Sequence, residues 1–73
     1  MENSMARECE VRYNDFSKFP PTVKTAKVQL DYMSPFGAVA AQIRWKLSIP
    51  IAPQDILEIT DLQNNRTVYL KQD

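Results

Sequence analysis

Within residues 25–47, TAKVQLDYMSPFGAVAAQIRWKL, the spacing of the apolar side chains changes from two residues to three or four. In the first third of this stretch apolar and polar residues alternate, which is typical of a half-buried β-strand. In the remainder the apolar residues recur at helical spacing as far as Leu47. Ser34 is a favourable N-cap and Pro35 suits the first helical position. The pattern therefore predicts a strand followed by a helix that ends near Leu47.

Three further segments show the alternation of strands, one before this stretch and two after it. Their ranges are residues 8–14, 55–61 and 66–71. The predicted order of elements is therefore β-β-α-β-β. One helix laid across one face of a mixed four-stranded sheet is the simplest way to bury the apolar sides of these elements, so the predicted fold class is α+β.

The alternation also predicts which side chains of the later strands face the core. The expected inward residues are Leu57, Ile59, Val68 and Leu70. Ile56 and Tyr69 are accordingly expected on the outer face of the sheet. The connection between the first two strands contains Pro20-Pro21, which cannot sit inside a β-ladder. We expect Phe16 and Phe19 in this loop to pack against the core.

The segment that leaves the helix resembles the same step in ubiquitin-like β-grasp domains. The residues that carry the resemblance are Ile49-Pro50, then Pro53 and Gln54 in a polar linker, then the strand Ile56-Leu57-Glu58-Ile59. With the order of elements, the resemblance implies a β-grasp fold over residues 8–73 after a disordered start at residues 1–7. It also implies a protein-interaction role, as in Ras-association-like domains or in ubiquitin-like domains that are not conjugated. Conjugated modifiers end in paired glycines, whereas Gly37 is the only glycine here.

The composition excludes several classes of protein. The chain has 73 residues, enough for one domain, and nine basic residues balance nine acidic ones. This neutrality argues against a domain that binds chiefly to phosphates or to an anionic membrane surface. One cysteine and no histidine exclude an internal disulfide, a typical zinc site and the common Ser-His and Cys-His catalytic pairs. We therefore expect a non-enzymatic protein without a metal or cofactor, located in the cytoplasm or the nucleus.

The remaining reactive side chains have simple structural interpretations. Cys9 falls on the apolar side of the first strand, where a buried cysteine acts as a small hydrophobic residue. The carboxylates of Asp55, Glu58 and Asp61 lie close in sequence, at the ends and on the polar side of the third strand. We expect these three carboxylates to be solvated at the surface and to take no part in catalysis.

Trp45 is the first candidate for a partner-binding residue. It lies off the main apolar stripe of the predicted helix, in line with the small residue Ala41. One interpretation is that Trp45 packs over the edge of the helix near Ile51. The other is an exposed aromatic anchor framed by Arg44 and Lys46, because Trp and Arg are enriched at the energetic centres of protein interfaces.

Three basic residues on the first two strands, Lys24, Lys27 and Arg12, form a second candidate surface. In Ras-association domains basic residues on these strands meet an acidic partner strand, and the resemblance implies the same use here. The simpler interpretation is that these charges solvate the outer face of a small sheet. Lysines on an edge strand also prevent unwanted strand pairing.

Two other functions are consistent with the sequence. The chain could bind nucleic acid through these basic residues, with Tyr13 or Tyr32 as a stacking surface, although its neutral net charge argues against this. It could also self-associate as a homo-oligomer through its open fourth strand or an exposed Trp45. The expectation that the residues favour is a protein partner, without nucleic acid or membrane binding.

Overall fold

The computed structural model describes residues 6–72. Its elements are β1 (Arg7–Asp15), β2 (Thr22–Leu30), α1 (Phe36–Leu47), a 3-10 turn at Pro53–Asp55, β3 (Ile56–Asp61) and β4 (Arg66–Leu70). The α+β class and the order β-β-α-β-β are confirmed. Most of the disordered start expected at residues 1–7 lies outside the described residues, but Arg7 already belongs to β1.

The four strands form one sheet in the order β2-β1-β3-β4, and every described pair of neighbours is antiparallel. The expected mixed sheet is therefore wrong, and the β-grasp arrangement is not confirmed. The reason lies in the path of the chain through α1. Leu30 at the end of β2 pairs with Arg7, whereas Ile56 at the start of β3 pairs with Tyr13. The helix thus carries the chain to the opposite end of the sheet, so β3 runs in the direction of β2 and antiparallel to β1 between them.

The helix α1 covers one face of the sheet with Val39, Ala40 and Ile43, all of which are buried. It begins one residue later than the Ser34 cap predicted. Pro35 occupies the N-cap position because its ψ of 151° is extended, and its carbonyl accepts the first helical hydrogen bonds. The predicted end at Leu47 is confirmed, with Ser48 in the left-handed conformation that closes many helices.

A β-bulge in β4 reverses the predicted orientation of its last residues. Val68 is an extra residue in the pairing with β3, since Thr60 pairs with Thr67 but Ile59 pairs with Tyr69. Directly paired residues share a face of the sheet, so Tyr69 lies on the core side with Ile59. Its ring stacks on Phe36 of α1 with 4.3 Å between centroids.

Leu70, expected in the core, is consequently 50% exposed. It pairs with Glu58 on the outer face of the sheet. A second bulge, at Leu57 in β3, has the same effect, because Arg12 pairs with Glu58 but Tyr13 pairs with Ile56. Ile56 is therefore fully buried, contrary to the alternation, and Leu57 is only half-buried.

The core lies between α1 and the inner face of the sheet. Its buried apolar residues are Cys9, Val11, Tyr13, Val28, Leu30, Val39, Ala40, Ile43, Ile51, Ile56 and Ile59. All but Ile51 belong to α1 or to the first three strands. The expectation that Cys9 is a buried small residue is confirmed.

The β1–β2 hairpin extends beyond the part of the sheet that the helix covers. In β2 only Val28 and Leu30 are buried, and the residues nearer the loop are progressively more exposed. The domain measures 43 × 22 × 19 Å as a result. Phe16 and Phe19 at the loop are exposed, Phe19 by 90%, so the expectation that they pack against the core is wrong. Both follow Tyr13, the last buried residue of β1, so they lie beyond the end of the core.

The β4 bulge gives a test of the strand register. Tyr69→Ala should lower the free energy of unfolding by about 1–3 kcal/mol, because it removes a half-buried ring that stacks on Phe36. Leu70→Ala should lower it by less than about 1 kcal/mol, because that side chain is half in water. Urea unfolding followed by far-ultraviolet circular dichroism measures both. A larger loss for Leu70→Ala would show that β4 alternates without the bulge.

Candidate functional site

The indole of Trp45 lies on the outer side of the last turn of α1, where it is 82% exposed. The interpretation that Trp45 packs near Ile51 is therefore wrong, since Ile51 is buried in the core while the indole faces solvent. The helix turns its buried stripe, centred on Ile43, towards the sheet. Trp45 follows two positions later, which places it on the other side of the helix.

An open groove lies beside this indole at the end of the helix. Its lining residues are Ala41, Arg44, Trp45, Ser48, Ile49 and Pro50. Ala41 and Ser48 lie one turn before Trp45 and one turn after it, so both flanks of the indole carry small side chains. We call these six residues the Trp45 groove.

The local sequence explains why the chain folds back to form this groove. Ser48 has a φ of 56°, a left-handed conformation that turns the chain away from the helix axis. The amide of Ile51 then donates a hydrogen bond of 3.0 Å to the carbonyl of Ile49. Because Ile51 is anchored in the core, Ile49 and Pro50 are held against the end of the helix. The groove is thus formed by the last turn of α1 and a hydrogen-bonded turn that is anchored in the core.

Arg44 brings positive charge to the Trp45 groove. It lies in the last turn of α1, where a cation also interacts favourably with the helix dipole. Among the residues that the structure describes, its guanidinium has no ion pair and no hydrogen bond. Arg44 is therefore free to interact with a ligand of the groove.

Lys46, predicted to frame Trp45 with Arg44, points elsewhere. Its ammonium donates a hydrogen bond of 2.5 Å to the backbone carbonyl of Gln29 on β2, an edge strand of the sheet. Lys46 does not line the groove. The structure thus brings Trp45 and Arg44 together and assigns Lys46 to a contact between helix and sheet.

The second candidate surface is divided between the two faces of the sheet. Lys24 pairs with the buried Tyr13, which places it on the inner face, beyond the end of the helix. Its ammonium lies 2.8 Å from the carboxylate of Asp15. This contact, together with hydrogen bonds from Ser17, lowers the pKa of Asp15 to about 2. Lys27 is three residues further on and projects from the outer face.

The outer-face charges are balanced by acidic neighbours. Lys27 lies directly opposite Glu10 of β1. The guanidinium of Arg12 lies 3.1 Å from the carboxylate of Glu58 on β3. The structure therefore does not join Arg12, Lys27 and Lys24 into one basic surface, and this arrangement is typical of a solvated sheet face.

Sequence reasoning missed a buried polar cluster around Asp61. This carboxylate was expected at the surface, but it is completely buried and lies opposite Cys9 in the sheet. It accepts hydrogen bonds from the Tyr32 hydroxyl at 2.5 Å, the Asn64 side-chain amide at 3.0 Å and the Gln63 backbone amide at 2.9 Å. The alternation carried the signal, because Asp61 is two residues after the buried Ile59.

The Asp61 cluster ties three parts of the chain together at one end of the sheet. Tyr32 precedes the helix, Asn64 lies in the β3–β4 turn, and the Arg7 guanidinium approaches the carboxylate at 3.9 Å. The hydrogen bond from Tyr32 holds the pKa of Asp61 below its usual value and raises that of Tyr32. Burial, with the nearby Asp61 charge, raises the pKa of the Cys9 thiol. The cluster is a satisfied buried carboxylate beside an un-ionised thiol, which stabilises the fold.

Within residues 6–72, no helix is long and apolar enough to cross a membrane. Over those residues the acidic and cysteine side chains form no group of three that could hold a metal ion.

The pKa shift of Asp61 predicts a dependence of stability on pH. Its folded pKa lies below the ordinary value of 3.8, so its charge stabilises the fold above that pH. This contribution is lost as the pH falls through the folded pKa. In Asp61→Asn the contribution is absent at every pH. The stability advantage of the natural chain over this variant should therefore shrink between about pH 5 and about pH 2, as measured by urea unfolding.

Tyr32→Phe is the companion variant for this measurement. It removes the hydrogen bond that contributes most to the lowered pKa of Asp61, so it should also flatten the acid limb of the stability profile. A difference between the natural chain and Asp61→Asn that stays constant down to the acid limit would contradict the assignment.

Comparisons with known proteins found no match. No protein-family model, no curated protein and no solved structure matches this chain. Membership of the ubiquitin-like superfamily is therefore not shown, and an assignment of function rests on the residues of this chain.

Proposed function

We propose that this protein is a non-catalytic protein-interaction domain that binds its partner through the Trp45 groove. The observation that supports this most directly is the 82% exposure of an indole beside the apolar residues Ile49 and Pro50. The proposal shares its general role with ubiquitin-like domains. It does not depend on their fold, because the antiparallel order β2-β1-β3-β4 differs from the mixed sheet that the resemblance implied.

Local stability does not explain a tryptophan at this position. On an exposed helix surface Ala, Lys or Gln would favour the helix more than Trp does. Single exposed apolar residues are common on protein surfaces and need no special explanation. Trp45, however, adjoins Ala41, Ile49 and Pro50 in one groove, and tryptophan in such a setting is the residue most enriched at binding hot spots.

The structure gives less support to nucleic-acid binding. The basic residues expected to grip phosphates are divided between two faces, and Arg12 and Lys24 are paired with Glu58 and Asp15. The two tyrosines proposed as stacking surfaces are engaged in contacts within the domain. Tyr13 is buried in the core, and the hydroxyl of Tyr32 is bonded to buried Asp61. A stacking platform requires aromatic faces that are open to the bases.

The proposal predicts that Trp45→Ala separates binding from folding. Because the side chain is mostly in water, its removal should change the free energy of unfolding by no more than about 0.5 kcal/mol. Loss of a hot-spot indole should weaken partner binding by about 2 kcal/mol, or roughly thirtyfold. The measurement is selection of displayed fragments of the source organism's own proteins on the natural domain, followed by affinity measurement of the recovered fragments on each variant.

Met33→Ala is the matched control for this experiment. Met33 is a large apolar residue that is 75% exposed, and it precedes the start of α1, at the opposite end of the helix from Trp45. Binding should survive Met33→Ala. Fragments that bind a folded Trp45→Ala variant as tightly as the natural domain would refute the proposal. Selection of the domain's own sequence, with a molecular mass that rises with concentration, would replace it by self-association.

A further inference from the structure

The acidic residues of this chain are absent from the segment that forms the Trp45 groove. All nine lie within residues 1–31 or 55–73, whereas residues 32–54 contain Arg44 and Lys46 and no aspartate or glutamate. The net charge of zero for the whole chain therefore conceals a cationic segment. This segment includes the whole of α1 and the turn that completes the groove.

Arg44 is the charge that faces the groove. Two other cations of the domain are neutralised, since Arg12 contacts Glu58 and Lys24 contacts Asp15. Within the described residues Arg44 has no such partner. An aromatic anchor and an unpaired guanidinium thus lie on adjacent positions of one helix and line the same groove.

From this arrangement we infer that the ligand of the Trp45 groove is a short acidic peptide segment that carries an apolar anchor residue. The inference rests on the proposed function and specifies the partner. The apolar anchor packs against the indole of Trp45 and the side chains of Ile49 and Pro50. A carboxylate next to the anchor pairs with the Arg44 guanidinium, whose planar fork suits two parallel hydrogen bonds to a carboxylate.

A peptide fits the groove better than a nucleic acid does. The groove offers one aromatic face, whereas single-stranded nucleic acids stack successive bases on several. It offers one unpaired cation, whereas binding to phosphates relies on several. The ammonium of Lys46, which follows Trp45 in sequence, is already directed at the Gln29 carbonyl.

The test is selection of a phage-displayed library of random peptides on the natural domain, with Trp45→Ala as the counter-selection bait. The recovered peptides are synthesised and their affinities measured by fluorescence anisotropy. They should be richer in Asp and Glu than the unselected library and should share an apolar position. Replacing their acidic residues by the amides should weaken binding at least about tenfold, and added salt should weaken it as well.

Charge reversal of the domain provides the matched pair of variants. Arg44→Glu should weaken binding at least about tenfold. Arg44→Gln removes the positive charge without adding a negative charge at the C-terminal end of the helix, and it should weaken binding less but measurably. Arg66→Glu reverses an exposed cation at the start of β4, away from the groove, and should change binding less than about twofold. Circular dichroism confirms that each variant is folded.

The outcomes separate this inference from the function on which it rests. If Trp45→Ala abolishes binding but Arg44→Glu does not, and the peptides carry no excess of acid, the acidic-ligand inference is overturned while the groove remains a binding site. If no peptide is enriched over the Trp45→Ala bait, or if Trp45→Ala retains full binding, both fail. Tighter binding of a single-stranded oligothymidylate than of any peptide would also overturn the inference, in favour of nucleic acid.

Discussion

The central strand β1 is the element on which the rest of the fold depends. It is hydrogen-bonded on both edges, to β2 and β3, and it places Cys9, Val11 and Tyr13 against the helix. Because directly paired residues share a face, the register of β1 determines which residues of its neighbours are buried. Opposite Val11, for example, lies Ile59. A domain of this size has little apolar surface to spare, so the alternation in this one strand governs most of the core.

The early part of the fold was predictable from sequence because its patterns are regular. The change of period between β2 and α1 predicted both elements, and the left-handed Ser48 follows the predicted end at Leu47. The later strands were predicted in place, and Ile59 and Val68 face the core as expected, but the residues on the far side of each bulge do not. A bulge adds one residue to a strand and reverses every side chain beyond it, and the amino-acid pattern around Leu57 and Val68 contains no mark of this.

The prediction of a mixed sheet was wrong for a different reason. Hydrophobic spacing reports which residues are buried but not the direction in which a strand enters the sheet. The direction of β3 depends on which end of the sheet the helix delivers the chain to. Here it is the end near Tyr13, with which Ile56 pairs at the start of β3. The burial of Asp61 was missed for another reason, since the alternation with Ile59 places it inward but does not show what satisfies its charge. A carboxylate is expected at the surface unless hydrogen-bond donors surround it. The donors here, Tyr32 before the helix and Asn64 in the β3–β4 turn, are brought to Asp61 only by the fold.

The candidate site was partly visible in the sequence. Helical geometry identified Trp45 as lying off the buried stripe, and its exposure follows from that. The neighbours of Trp45 were harder to assign, since a long lysine side chain reaches several ångströms from its backbone position. Each residue of a helix is rotated by about 100° from the one before it, so Arg44 and Lys46, two positions apart, project in nearly opposite directions.

The contact between Lys46 and Gln29 has a consequence for how the domain behaves at high concentration. Strand β2 forms one border of the sheet, and an exposed border offers backbone donors and acceptors to the sheet of another molecule. The ammonium of Lys46 occupies one of these acceptors and places a hydrated positive charge over it. A lysine that belongs to the helix thus leaves one backbone acceptor fewer on this border for the sheet of another molecule, and it comes from the same turn of helix that exposes an indole to solvent.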